Sequence, residues 1–274
     1  MNDVVYGDAG GRPLKADVYL PNARNGAAVV MVHGGAWARG SKAMLAPHAA
    51  ALASQGFVAI VPEYRLIGEA PFPAQIHDVK RVLRWARSQA DALGFDPAKL
   101  CAEGHSAGAH LVLLAAGTPD DPRLDPPEGA GGVSDAVAAA VAIYPPVLFY
   151  HETERSSGAV PSRALPGADV SAAMAELASP MTHITGRLPP VMLLHGDADK
   201  VVPVSASRRY EERVRAAGGQ VDLHIFAGLP HGFANNERML PGLMAMIGDF
   251  FRRTVVEPEK YVFGPSRFEQ AQAL

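Results

Sequence analysis

Four short segments carry side chains suited to acyl transfer. Gly104-His105-Ser106-Ala107-Gly108 fits G-x-S-x-G and lies between a strand-like run, Leu100–Gly104, and a helical run, Ala107–Ala116. A serine on such a strand-to-helix turn holds its hydroxyl exposed, and the flanking glycines let strand and helix approach. The helix N-terminus adds amide donors and a positive dipole where an oxyanion develops. His33-Gly34-Gly35-Ala36-Trp37 directly follows the apolar run Ala27–His33. Its small residues let backbone amides come close to an oxyanion. Gly35 and Ala36, with Ala107 after the serine, are the donor candidates; the choice among Gly34, Gly35 and Ala36 stays open by one position. His195–Pro203 (HGDADKVVP) offers two carboxylates, Asp197 and Asp199, to orient a histidine. Pro230-His231-Gly232-Phe233 follows the alternating run Val221–Phe226, so His231, just past a strand end, is the best candidate base. The chain order Ser…Asp…His is the one that the G-x-S-x-G architecture uses.

The chain has ten histidines, so most need another role. His33 and His195 precede glycines at strand ends and suit bonds to loop backbone. His224 alternates within a strand. His48, His77, His110, His151 and His183 show no metal-ligand spacing. No P-loop and no G-x-G-x-x-G after a strand is present, so neither a metal nor a cofactor is implied.

Something must carry these segments to one place. Leu14–Leu20 alternates as a half-buried strand does, while Ala27–His33, Phe57–Pro62 and Val191–His195 are continuously apolar, as strands covered on both faces are. Ala136–Tyr144 is a further strand candidate. Ala43–Gln55, Ala107–Ala116, Ser205–Ala217 and Leu240–Arg252 read as helices. So does the stretch in which Ile76, Val79, Val82, Leu83 and Ala86 share one face and Lys80, Arg81, Arg84 and Arg87 lie elsewhere. Strands alternating with helices predict a largely parallel sheet covered on both sides. Thr118–Asp135, rich in Pro, Gly and Asp, predicts a surface loop. Pro145–Pro190 has little strand character and follows a strand end, where ligand sites form in open sheets; it predicts a lid, a pocket wall or a solvent-exposed excursion. The tail, 254–274, carries Tyr261, Val262, Phe263 and Phe268 and is expected to pack on its own domain or on a second copy in a homodimer.

The 274 residues include 25 Lys and Arg against 28 Asp and Glu, a formal charge of -3. That gives no cationic surplus for collecting phosphates and excludes a basic nucleic-acid binder. Hydrophobic residues make up 48%, which excludes a disordered chain. The length suits one large α/β domain. The single cysteine, Cys101, excludes an internal disulfide and a zinc-thiolate cluster. No apolar run reaches the roughly 18 residues of a membrane span, and the start lacks a basic segment followed by an apolar one. A cytoplasmic setting is therefore expected.

Together these motifs resemble the α/β-hydrolase superfamily, and within it the hormone-sensitive-lipase-like and feruloyl/acetylxylan-esterase-like serine esterases. The resemblance runs from the strand before HGGAW to the helix after His231. It takes in Glu63–Leu66 (EYRL), Phe72–Val79 (FPAQIHDV), Ala178–Ile184 (ASPMTHI) and Leu188–Pro203 (LPPVMLLHGDADKVVP). It implies one α/β-hydrolase domain over 1–274: a mostly parallel central sheet with helices on both faces and a small insertion at 145–190. In the family the acid opens a D-x-x-V-P segment. Asp199-Lys200-Val201-Val202-Pro203 matches, which selects Asp199 over Asp197. The nucleophile carries over to Ser106 and the base to His231. Hormone-sensitive-lipase-like members usually have a third glycine where Ala36 stands and Asp where His105 stands. HGGAW and GHSAGA look more like the feruloyl/acetylxylan-esterase and kynurenine-formamidase-like branches.

The expected activity is hydrolysis of short-chain acyl esters, acetylated or feruloylated carbohydrate among them, with a small-molecule ester as the partner and neither nucleic acid nor membrane. Gly34, Trp37 and His105 are the candidates for touching substrate; His105, beneath the turn, equally suits a structural part. Tyr64 and Phe72 are candidates for the pocket wall or for the core. An arylformamidase-like amide hydrolase would use the same three side chains. A non-catalytic relative that binds a ligand would be expected to lack one of them.

Overall fold

The computed structural model describes residues 1–129, 131–150, 160–161, 171–262 and 264. The chain opens with β1 (Val4–Asp8), β2 (Pro13–Tyr19) and β3 (Ala28–Val32), then α1 (Ala46–Ser54) and β4 (Val58–Pro62). Next come α2 (Ala74–Ser88), α3 (Ala90–Leu93), β5 (Leu100–His105), α4 (Ala107–Gly117) and β6 (Ala140–Ile143). Two short strands, β7 (Phe149–Tyr150) and β8 (Val160–Pro161), and α5 (Ala172–Ala178) precede β9 (Val191–Gly196). The order closes with α6 (Ser205–Ala216), β10 (Val221–Phe226) and α7 (Leu240–Phe251).

Eight strands form one sheet in the order β1-β2-β4-β3-β5-β6-β9-β10. β1 and β2 pair antiparallel, β2 joins β4 antiparallel, and every pair from β4 to β10 is parallel. The apolar runs explain the layering. In β3, Ala28, Val30 and Val32 face a core shared with α2 and α4, while Val29 and Met31 face a second core shared with α1 and α7. Each strand side chain is thus covered whichever way it points. This is the α/β-hydrolase fold expected from the sequence, and among the described residues no helix is long and apolar enough to cross a membrane.

Several features depart from the sequence reading. β1 carries no strand signal in the sequence, because only Tyr6 of its five residues is buried and no alternation results. The strand expected at Ala136–Tyr144 shortens to Ala140–Ile143. The predicted helix from Ala43 begins as a tighter turn, Lys42–Leu45. Lys80, off the apolar face of α2, is fully buried: its ammonium donates to the Thr118 carbonyl at 2.5 Å and to Asp135 at 3.2 Å, and Arg84 joins Asp135 at 2.5 Å. The 118–135 loop therefore roofs that side of the helix.

Two stretches of the 145–190 excursion, 151–159 and 162–170, lie outside the described residues. Its described ends hold more structure than expected. β7 and β8 pair parallel, and the Phe149 amide donates to Ser179 Oγ at 2.9 Å. The tail packs on its own domain at its start, where Lys99 Nζ donates to the Val256 carbonyl at 2.8 Å and Val255 is buried. Phe263 and Phe268 are outside the described residues.

Candidate active site

Parallel strands send their following loops to one end of a sheet, and the four chemical segments follow β3, β5, β9 and β10. Ser106 caps α4 with φ 52° and ψ −113°, a strained backbone for a residue with a Cβ. Its amide is tied to the Ile143 carbonyl of β6 at 2.9 Å. Gly108 is required by close approach: a Cβ there would drive into the Val32 carbonyl of β3. The helix behind the serine is thereby pressed on the strand that carries HGGAW.

Ser106 Oγ lies 3.0 Å from His231 Nε2, and His231 Nδ1 lies 2.6 Å from Asp199 Oδ2. The three side chains form one hydrogen-bonded row. The Asp199 contact fixes the proton on Nδ1, leaving the Nε2 lone pair toward the hydroxyl. Asp199 Oδ1 accepts the amides of Val201 at 2.8 Å and Val202 at 2.9 Å. His195 Nε2 adds a contact to Oδ2 at 3.2 Å. Burial alone would raise the Asp199 pKa; the bonds from His195, His231 and the two amides outweigh it, and the carboxyl is held well below the usual carboxylate range. Asp197 is exposed and otherwise engaged, accepting the Gly228 amide at 2.6 Å.

The row faces a cavity of about 280 Å³ lined in part by Gly34, Gly35, Ala36, His105, Ser106 and His231. The amides of Ala36 and Ala107 find no acceptor among the described residues, and Ala107 stands at the first position of α4, where no intrahelical acceptor exists. Gly35 is at φ 121° and Ala36 at φ 53°, so the loop departs from extended backbone at both donor candidates.

Three aromatic candidates are not in the cavity wall. Trp37 turns inward: its indole N–H donates to His110 Nδ1 at 3.2 Å and its ring packs on Phe149. An indole N–H rarely stays buried unpaired, and His110 satisfies it. Tyr64 stacks on His33 and donates to its carbonyl at 3.1 Å, and Phe72 joins the core beside His110. His105 does border the cavity, yet it is nearly all buried beneath Ser106, 2.7 Å from the carboxylate of Glu103.

Tyr144 escaped the sequence reading. It sits at φ 44° just past β6, borders the cavity and lays its ring 4.5 Å from that of His231. Burial, then the charges of Glu103 and Asp199, push its phenol pKa up, so it stays neutral. Only its place at a strand end, before Pro145-Pro146, could have signalled it. Arg39 and Asn235 also line the cavity and had no motif to mark them.

The BD-FAE family model matches residues 16–214. The esterase LipC of Mycobacterium tuberculosis is 34% identical over 217 residues, covering 75% of this chain and 52% of its own. The probable carboxylic ester hydrolase LipM of the same organism is 33% identical over 242 residues, covering 83% of this chain and 54% of its own. The chain thus spans about half the length of these curated relatives. Against a solved structure the coverage is nearly complete. The propionate-bound esterase Est2 of Thermogutta terrifontis superposes with a TM-score of 0.78 at 31% identity, over 96% of each chain. On these matches the chain belongs to the BD-FAE family, built on the α/β-hydrolase fold.

Proposed function

We propose that the protein is a serine carboxylesterase that hydrolyses short-chain acyl esters through an acyl-enzyme intermediate. The observation that carries this reading is the Ser106–His231–Asp199 row facing a cavity beside unpaired amides. Ser106 Oγ attacks the acyl carbonyl while its proton passes to His231 Nε2. Asp199 holds the imidazole in place and offsets the charge of the imidazolium. The amides of Ala36 or Gly35, with that of Ala107, receive the oxyanion. Collapse breaks the bond to the alcohol, which leaves with the proton from His231. Water then gives a proton to His231 and attacks the acyl carbon, releasing the acid and restoring Ser106.

The cavity volume supports a small acyl group, as does the likeness to an esterase solved with propionate bound. The names of LipC and LipM support an ester as the substrate. The test is labelling with a fluorophosphonate, followed by rates on 4-nitrophenyl acetate and N-formylkynurenine. Labelling at Ser106 with turnover of the acetate is expected. No label, or turnover of the formamide alone, would overturn the reading.

A further inference from the structure

Among the described residues, the cavity above Ser106 is lined by one arginine and no carboxylate-bearing side chain. Arg39 is exposed there, and its guanidinium has no partner among the described residues. The arginines of α2 and the one before it are tied down: Arg65 to Asp78, Arg81 to Asp78 and Arg84 to Asp135. The backbone of Arg39 is nevertheless fixed. Its amide donates to the Gly35 carbonyl at 3.1 Å, and a Cβ at Gly35 would overlap the Arg39 carbonyl. The cation is thereby rooted on the loop that carries the candidate oxyanion donors. Asn235, on the loop after His231, lines the same cavity, and its carboxamide is also unpartnered among the described residues.

A guanidinium offers two parallel N–H bonds that match a carboxylate. A carboxylate entering a cavity loses water and needs such a partner. Asp199, the carboxylate of the row, stands behind His231 with its oxygens already engaged, so it does not compete. We infer that the preferred ester carries a carboxylate away from the bond that is cleaved, held by Arg39 with Asn235 beside it. This rests on the ester-hydrolase reading above and adds the charge of the substrate.

The experiment compares two pairs of esters. On the acyl side, mono-4-nitrophenyl glutarate is set against 4-nitrophenyl valerate, which has a methyl where the first has a carboxylate. On the alcohol side, the butyrate of 3-hydroxybenzoate is set against that of 3-hydroxybenzamide. In at least one pair the charged member should lead in kcat/KM by about three- to tenfold at low salt, the range of a partly exposed charged bond. The lead should vanish in Arg39→Gln and Arg39→Ala, reverse in Arg39→Glu and shrink in about 0.5 M salt. Equal rates within both pairs overturn the inference and leave the esterase reading standing. So does a lead that survives Arg39→Gln, or an equal loss on both members in Gln and Ala variants alike. Failure of the unaltered protein to hydrolyse any of the four esters sinks both.

Discussion

Asp199 gives one oxygen to His231, at 2.6 Å from Nδ1, and the other to the amides of its own turn. The carboxylate is therefore held from two sides, and its direction relative to the imidazole is set before substrate arrives. Asp197, two residues earlier, serves the Gly228 amide instead. Asp199→Asn should lower kcat by about 10⁴, the size seen when such an aspartate loses its charge in a comparable triad. Asp197→Asn should stay within about tenfold, since only a loop bond is altered. Steady-state kinetics on 4-nitrophenyl acetate ranks the two; the reverse order would move the acid to Asp197.

The strain at Ser106 separates chemistry from stability. Ser106→Ala keeps a Cβ at φ 52° and removes only the hydroxyl, so turnover should fall by about 10⁶ with little change in Tm. Ser106→Gly should be equally inactive yet more stable, by about 1 kcal/mol, because glycine occupies this backbone without strain. Thermal unfolding of the three proteins checks the ranking. A glycine variant that melts below the alanine one would show that the turn is not strained.

Acid should weaken the fold before it reaches ordinary carboxylates. Burial lowers the pKa of His110 from 6.5 to about 4, opposed by its bond to the Ala178 carbonyl. Burial and the charge of Arg65 lower His77 to about 4 as well. Between these values the unfolded chain binds protons that the folded one refuses, so stability is full above pH 6.5 and declines as pH falls toward 4. At pH 5 the loss through His110 is about 2 kcal/mol. Urea unfolding at pH 7 and pH 5 measures it; an unchanged midpoint would contradict the buried neutral imidazole. Asp199, held in its charged form, stays ionised across this window, and its own contribution to stability is lost only at still lower pH, as it falls through the depressed folded value.

Residues whose chemistry is dictated by their neighbours in sequence were readable from the chain. HGGAW and GHSAG need glycines where backbones nearly touch, and the continuously apolar β3, β4 and β9 declare burial on both faces. The preference for Asp199 over Asp197 rests in the sequence on the resemblance alone, and the bonds to His231, Val201 and Val202 support it physically. What depended on distant partners was hidden. Trp37 reads as a pocket residue until His110 and Phe149, 73 and 112 positions later, supply a buried partner and a surface. Lys80 reads as a solvated charge until Asp135 folds over it. Tyr144 acquires its place on His231 from a loop that follows a different strand.

The contact of Gly108 with Val32 joins the Ser106 turn and the HGGAW loop into one stiff block at the middle of the sheet. His231 and Asp199 instead hang from β10 and β9, the outer pair, with β10 at the rim. Heat or denaturant that frays this margin would pull the imidazole away while the serine stayed seated. Under the proposed mechanism, such fraying is expected to silence hydrolysis before the whole molecule collapses, and reversibly.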